Sequence, residues 1–172
     1  MRITRRHLLA TAGLASAAAV GGALATGTVY RVWWNQPADA TARLLSPDEI
    51  AFLDALADAM FPPDTGLPLR GRDANVARTV DLVLTGMHPS QSKLVRLSLH
   101  ALDQYALPSQ HTAFRNLDPA AAGEVLRAWL SHDLAEVRGL TASLYIFVAM
   151  AWSIHPDVAP TLAGQFKCGY GA

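Results

Sequence analysis

The histidines are the first residues to examine for chemistry, because an imidazole can act as a metal ligand or as a general base. No two of them form the His-x-x-x-His or His-Glu-x-x-His spacing that places two rings on one helix face. The chain also has no Gly-x-Gly-x-x-Gly, phosphate-loop or Gly-x-Ser-x-Gly motif. The pattern therefore does not favour an enzyme that works alone, and predicts no catalytic, cofactor-binding or metal-binding residue. The six histidines are His7, His88, His100, His111, His132 and His155.

Two carboxylates four residues apart, Asp54 and Asp58, form the next candidate pair. At this spacing they share one face of a helix, where a pair could bind a metal or divide acid and base roles. No histidine accompanies them, and like-charged pairs at this spacing are common on helix surfaces. We therefore predict a solvated polar face.

The chain contains one cysteine, Cys168, which cannot form an internal disulfide. It is predicted to be either a free thiol or one half of an intermolecular bridge. A single thiol also excludes a haem attachment motif, an iron–sulfur ligand set and a cysteine-rich zinc site.

Two adjacent arginines, Arg5 and Arg6, precede a long uncharged run, which is the pattern of an export signal. The segment Thr-Arg-Arg-His-Leu-Leu over 4–9 resembles the twin-arginine translocation (Tat) motif, with Leu8 and Leu9 at its apolar positions. The resemblance implies that the Tat translocase exports the protein folded, often with a cofactor already bound to it or to a companion. An ordinary secretory signal with two arginines is the alternative.

The end of the signal has two interpretations. Ala23 and Ala25 fit the small-x-small cleavage pattern, which predicts a signal peptide over 1–25. If the segment is kept, residues 8–30 are long enough to cross a bilayer, which takes about 20 apolar residues. The many Ala, Gly and Thr residues make a weak span, so cleavage is favoured.

Length and charge limit the rest of the chain. Its 172 residues allow one domain after the signal. Three of the 14 basic residues lie within 1–25, which leaves 11 basic and 14 acidic residues, a net charge of −3. Such a domain has no electrostatic footprint for nucleic acid.

Helical periodicity dominates the remaining chain. A linker is predicted over 26–45, and a helical domain over 46–172. Ser46, Pro47 and Glu49 form a capping box that predicts a helix start. We expect an all-α fold, a small helical bundle. Its inward residues are predicted to be Ile50, Leu53, Leu56 or Ala57 and Met60; Val76, Val80, Val83 and Leu84 of a helix over 73–87; Leu94, Leu97 or Leu99, Ala101, Leu102 and Tyr105 of a helix capped by Ser90; and Val125, Leu126, Trp129 and Leu130.

The segment over 139–152 is apolar on all sides but too short to span a membrane. Such a helix must be buried, in its own core or against another subunit.

Residues 45–64 carry a family resemblance. Leu-Ser-Pro-Asp-Glu at 45–49, an alanine-rich helix and Met-Phe-Pro-Pro-Asp at 60–64 resemble the opening of the gluconate 2-dehydrogenase subunit 3 family. The export signal ahead of this segment fits the same family.

The resemblance implies a partner and a role. Such chains accompany a large subunit of the glucose–methanol–choline (GMC) type that carries FAD and performs the oxidation, often passing electrons to a cytochrome c with haem c. The small subunit is then a non-catalytic companion that supplies the export signal and stabilises the flavoprotein, at the periplasmic face of the membrane. The resemblance leaves the substrate of the large subunit open: gluconate, another sugar or sugar acid, an alcohol or a sterol.

The contacts to this partner are predicted at the loop over 62–72, the late apolar helix and the C-terminal tail. A different class of function stays open: an independent exported binding module or enzyme that holds its own small ligand. The predicted contact residues are Phe61, Pro62, Pro63, Tyr145, Phe147, Trp152, Cys168 and Tyr170.

Overall fold

The computed structural model describes residues 36–63 and 66–165. The signal residues Arg5, Arg6, Leu8 and Leu9, the cleavage residues Ala23 and Ala25, and the tail residues Cys168 and Tyr170 lie outside these ranges. The fold is all-α, as predicted. Its elements are α1 (Pro47–Met60), a 3₁₀ turn (Arg72–Ala74), α2 (Val76–Gly86), α3 (Pro89–Tyr105), the short α4 (Leu107–Gln110), a second 3₁₀ turn (Phe114–Asn116), α5 (Pro119–Leu130), α6 (Ala135–Ser153) and α7 (Ala159–Gln165).

Helix α1 lies at the centre of the bundle. The predicted capping box is confirmed, since Ser46 and Glu49 each accept a hydrogen bond from the other's backbone N–H. The helix packs on α2, α3, α5, α6 and the second 3₁₀ turn. Because neighbours surround it, Phe52 is buried although it lies off the predicted apolar face, whereas Ile50 and Met60 are only half-buried.

Residues 39–45 belong to the folded unit, so the predicted linker over 26–45 overlaps it. The Asp81 carboxylate of α2 accepts hydrogen bonds from the backbone N–H groups of Arg43, Leu44 and Leu45 at 2.8–2.9 Å. Leu45 is fully buried against the core. The Asp81 carboxylate and the burial of Leu45 together hold this segment to the bundle.

The helix predicted over 73–87 begins later than expected. Asn75 adopts a left-handed conformation (φ 49°), which separates the 3₁₀ turn from α2. Val76, Val80 and Leu84 are buried as predicted, but Val83 is 42% exposed. The prediction for Val83 is wrong because the polar Asp81 takes an inward position on the same helix.

Helix α3 differs most from its predicted pattern. Its cap is His88, whose ring accepts from the N–H of Ser90, so the predicted Ser90 cap is wrong. Leu99 and Leu102 are buried, but Leu94 is 58% exposed and Tyr105 is also exposed. The inward positions are taken instead by polar side chains, namely Ser92, Arg96, His100 and Asp103.

Helices α5 and α6 close the bundle. Asp118 caps α5, and the predicted inward residues Val125, Leu126 and Trp129 are buried, with Leu130 half-buried. Helix α6 buries one face but exposes apolar side chains on another, so the core of this chain covers only part of it, and burial of the rest against another subunit stays a prediction. No helix of the described residues is both long enough and apolar enough to cross a membrane.

Candidate partner-binding surface

Three of the predicted contact residues meet at one cavity. Pro62 and Pro63 follow the end of α1, and Tyr145 reaches the same space from α6. The cavity holds about 540 Å³, and we call it the proline pocket. Its other walls come from the last turn of α1 and the first turns of α5. The proline pocket is lined by Ala59, Met60, Pro62, Pro63, Pro119, Ala120, Gly123, Leu126, Arg127 and Tyr145.

Phe61 and Trp152, two more of the predicted contact residues, pack against each other and do not line this pocket. Their rings stack 4.1 Å apart between centroids and almost parallel. Trp152 is only 4% exposed, and its indole N–H donates to the carbonyl of Leu69 at 3.1 Å. The pair therefore anchors the loop over 62–72 to α6, and Trp152 offers little surface to a partner.

Asp58 fixes the far end of the same loop. Its carboxylate is 2% exposed and accepts hydrogen bonds from the Arg70 guanidinium at 3.0 and 2.7 Å and from the backbone N–H of Arg72 at 2.9 Å. The prediction of a solvated Asp54–Asp58 face is thus wrong for Asp58. The loop folds back on α1 and places Arg70 and Arg72 against the Asp58 carboxylate. Asp54 is half-buried, and burial raises the pKa of its carboxyl.

Phe147 lies on a different surface, in an apolar groove between α3 and α6. These two helices make little direct contact with each other. Two cavities of about 270 and 180 Å³ lie along the gap and share Leu140 in their walls. We call this gap the α3–α6 groove. It is lined by Met87, Val95, Ser98, Ala101, Leu102, Tyr105, Glu136, Val137, Leu140, Ser143, Leu144, Ile146, Phe147 and Met150.

The rims of the groove expose large apolar side chains. Ile146 and Met150 on α6 are 58% and 62% exposed, and Tyr105 on α3 is also exposed. Single exposed apolar residues are ordinary, but a run of them along a groove is typical of an interaction site. The sequence did not predict this surface on the α3 side, because the exposed Tyr105 was expected to face inward.

A buried ionic network lies under α3, on the other side from the groove. The Arg96 side chain donates to the Glu49 carboxylate at 2.8 Å, and His100 Nε2 lies 3.2 Å from the same carboxylate. Burial alone would raise the pKa of Glu49, but the neighbouring His100 side chain and hydrogen bonds from Arg96 and the N–H of Ser46 outweigh it and lower that pKa.

Asp103 forms a second buried pair on the same helix. It accepts from the backbone N–H of Arg115 at 3.0 Å and from the Arg115 guanidinium at 2.5 Å, while burial raises its pKa. In both pairs each charge meets its partner within the fold, which indicates a structural role. The spacing of Arg96, His100 and Asp103 along α3 is the signal that could have identified this inward polar face.

The described part of the chain holds no cluster of three or more His, Cys, Asp or Glu side chains placed to bind a metal ion. The candidate functional surfaces are the proline pocket and the α3–α6 groove.

Comparison with known proteins agrees with the opening motif. A family model described as gluconate 2-dehydrogenase subunit 3 matches residues 47–152, from the first turn of α1 to Trp152 near the end of α6. Searches of curated proteins and of solved structures returned no match. The matched range covers more than half of the chain and all the walls of the α3–α6 groove. The chain belongs to the gluconate 2-dehydrogenase subunit 3 family.

Proposed function

We propose that this chain is the non-catalytic small subunit of an exported, flavin-dependent dehydrogenase complex. In this proposal a separate large subunit of the GMC type binds FAD and oxidises a sugar, a sugar acid or an alcohol, and a cytochrome c with haem c receives the electrons. The observation that carries the proposal is the uncovered apolar groove between α3 and α6 in a member of a dehydrogenase-subunit family. Burying such a surface is favourable by roughly 25 cal/mol per Å² of apolar area.

The export route follows from the sequence. The twin arginines Arg5 and Arg6 address the chain to the Tat translocase, and cleavage after Ala25 releases it at the periplasmic side. Because this route carries folded proteins, one signal serves a flavoprotein that is already assembled with its small subunit. The small subunit then stabilises the large one outside the cytoplasm.

The proline pocket favours a second candidate function. Its volume of about 540 Å³ lies in the range of small-molecule sites, which is about 300–1,000 Å³. An independent exported module could hold an uncharged ligand against Pro62, Pro63 and Tyr145, with Arg127 at the edge.

One experiment separates the two functions. The tagged full-length chain is expressed in its native host, purified from the periplasm under gentle conditions, and the absorbance spectrum of the eluate is recorded. A co-purifying large protein with flavin absorption bands is the result expected for a small subunit. A single small, colourless protein would contradict that proposal and favour the ligand-binding module.

A further inference from the structure

The α3–α6 groove has the dimensions of one helix. Its lining on α6 runs from Glu136 to Met150, about 21 Å at a rise of 1.5 Å per residue. Leu102 and Leu144 are buried and form its floor, while the exposed Ile146 and Met150 form its edge on α6. Since α3 and α6 make little contact with each other, the gap lies where a further helix of the bundle would pack.

Hydrogen bonding decides what kind of chain can fill this gap. Two serines, Ser98 and Ser143, supply hydroxyl groups to the walls of the larger cavity, and each already donates to a carbonyl four residues back in its own helix. An extended peptide laid here would leave backbone N–H and C=O groups facing apolar walls, which is costly. A helix satisfies its backbone internally and presents only side chains.

Charge decides what side chains that helix carries. Among the described residues, no charged side chain lines the larger cavity, and Glu136 at the far end is the charged residue of the smaller one. The complementary occupant has an uncharged apolar face about 14 residues long, with a lysine or arginine at the end that meets Glu136.

A second copy of the chain fits this surface poorly. A two-fold contact places the same patch on both partners, so that two concave grooves would face each other and enclose a void. An inserted convex helix fills the groove instead, which is the usual mode of helix-in-groove recognition.

From these observations we infer that the α3–α6 groove binds one amphipathic helix of the large flavoprotein subunit. The helix packs its apolar face between α3 and α6 and sets a basic residue against Glu136. This inference rests on the proposed function, because it takes the large subunit as the partner.

Photocrosslinking in the assembled complex tests the inference directly. A benzophenone amino acid is placed at Ser98 or Ser143, the native complex is irradiated, and the crosslinked peptides are identified by mass spectrometry. We expect both positions to crosslink to one segment of the large subunit, at residues three, four or seven apart. Crosslinks two apart, which indicate a strand, or crosslinks to a second small subunit or to a copurified apolar small molecule, would overturn the inference.

Charge substitution gives an independent readout. The Met150→Glu variant changes an exposed rim residue, so the fold is retained, and it should weaken binding of the holo large subunit at least tenfold in competition with the wild-type chain. Leu82→Glu is the matched control, because Leu82 is 49% exposed on α2 and lines neither part of the groove.

The outcomes distinguish the two proposals. If the wild-type chain captures a flavoprotein and Met150→Glu binds it as tightly as Leu82→Glu does, the groove inference is wrong while the subunit function stands. If the wild-type chain captures no flavoprotein, the subunit function fails, and the groove inference fails with it.

Discussion

At the scale of single residues, buried charges define the interior of this protein. Glu49 is 1% exposed, yet it receives hydrogen bonds from Arg96 and from its own capping box. A buried ion pair adds little compared with a well-packed apolar pair, but losing one partner is costly because the other charge is left buried alone. Glu49 thus joins the start of α1 to the middle of α3.

Replacing Glu49 tests that role. Glu49→Gln removes the negative charge and leaves Arg96 without its buried counter-ion, so we expect a loss of about 3 kcal/mol in the free energy of unfolding. Urea unfolding at neutral pH measures it. Glu124→Gln changes an exposed residue of α5 and should stay within about 0.5 kcal/mol of the wild type. Equal stability of the two variants would show that the Glu49 pair is dispensable.

Acid should destabilise the fold by protonating the buried carboxylates of Glu49 and Asp81. The pKa values of Glu49 and Asp81 are both lowered in the folded chain, because hydrogen bonds to their ionised forms outweigh burial. A group whose folded-state pKa is lowered stabilises the fold above its unfolded-state pKa, and this contribution is lost as the pH falls through the folded-state pKa. The pKa of Asp103 is raised by burial, so protonation of this carboxyl stabilises the folded state and partly offsets the loss at acidic pH.

We therefore expect the urea concentration at the midpoint of unfolding to stay constant near neutral pH. It should decrease once the pH is lowered past about 4.3, the ordinary pKa of a glutamate. Unfolding curves recorded across this range give the profile. The double variant Glu49→Gln, Asp81→Asn should show a flatter profile from a lower starting midpoint. A wild-type midpoint that rises as the pH falls would contradict the assignment.

At the scale of elements, the loop over 62–72 is held by backbone proximity as well as by Asp58. The N–H of Gly71 donates to the carbonyl of Phe61 at 2.9 Å, so the loop closes on itself. A Cβ atom at Gly71 would lie 2.0 Å from the carbonyl oxygen of Ala57, which is far inside van der Waals contact. Glycine is required here for space.

Gly71→Ala should therefore separate the loop from α1. We expect a loss of about 2 kcal/mol or more, as is usual when a well-packed site is overfilled, measured by chemical denaturation. Gly86→Ala is the matched control, since a Cβ atom at Gly86 meets nothing within 4 Å. That control should stay within about 1 kcal/mol of the wild type. If the Gly71 variant is as stable as the Gly86 variant, the loop tolerates displacement from α1.

At the scale of the whole molecule, the proposed function makes this chain the export carrier of a larger complex. In this proposal a receptor recognises the twin-arginine motif, so a substitution that keeps the positive charge still abolishes recognition. Arginine also presents a planar fork of donors that lysine lacks.

The double substitution Arg5→Lys, Arg6→Lys should accordingly retain both the small subunit and the flavoprotein in the cytoplasm. Immunoblots of cell fractions, with flavin absorbance of each fraction, provide the measurement. Arg31→Lys, which lies outside the motif, should leave export normal. Export of the double variant at the normal level would indicate an ordinary secretory signal.

The amino-acid sequence by itself determined the helical class, the cap at Ser46 and the family to which the chain belongs. These depend on local patterns, because a capping side chain binds backbone groups within three residues of itself. The inward face of α5 was also predictable, since its apolar residues repeat at helical spacing without competing polar ones.

Only the tertiary structure decided which polar side chains are buried and which apolar ones are exposed. Periodicity shows which residues share a helix face but not what that face meets, and on α3 the polar face turned inward because Glu49 and Asp103 find their partners there. Arg96 and Glu49 are 47 residues apart in the chain, and Asp58 meets Arg70 only after the loop returns. The same packing turned Leu94 outward and opened the groove between α3 and α6, because two helices that each bind the core need not bind each other.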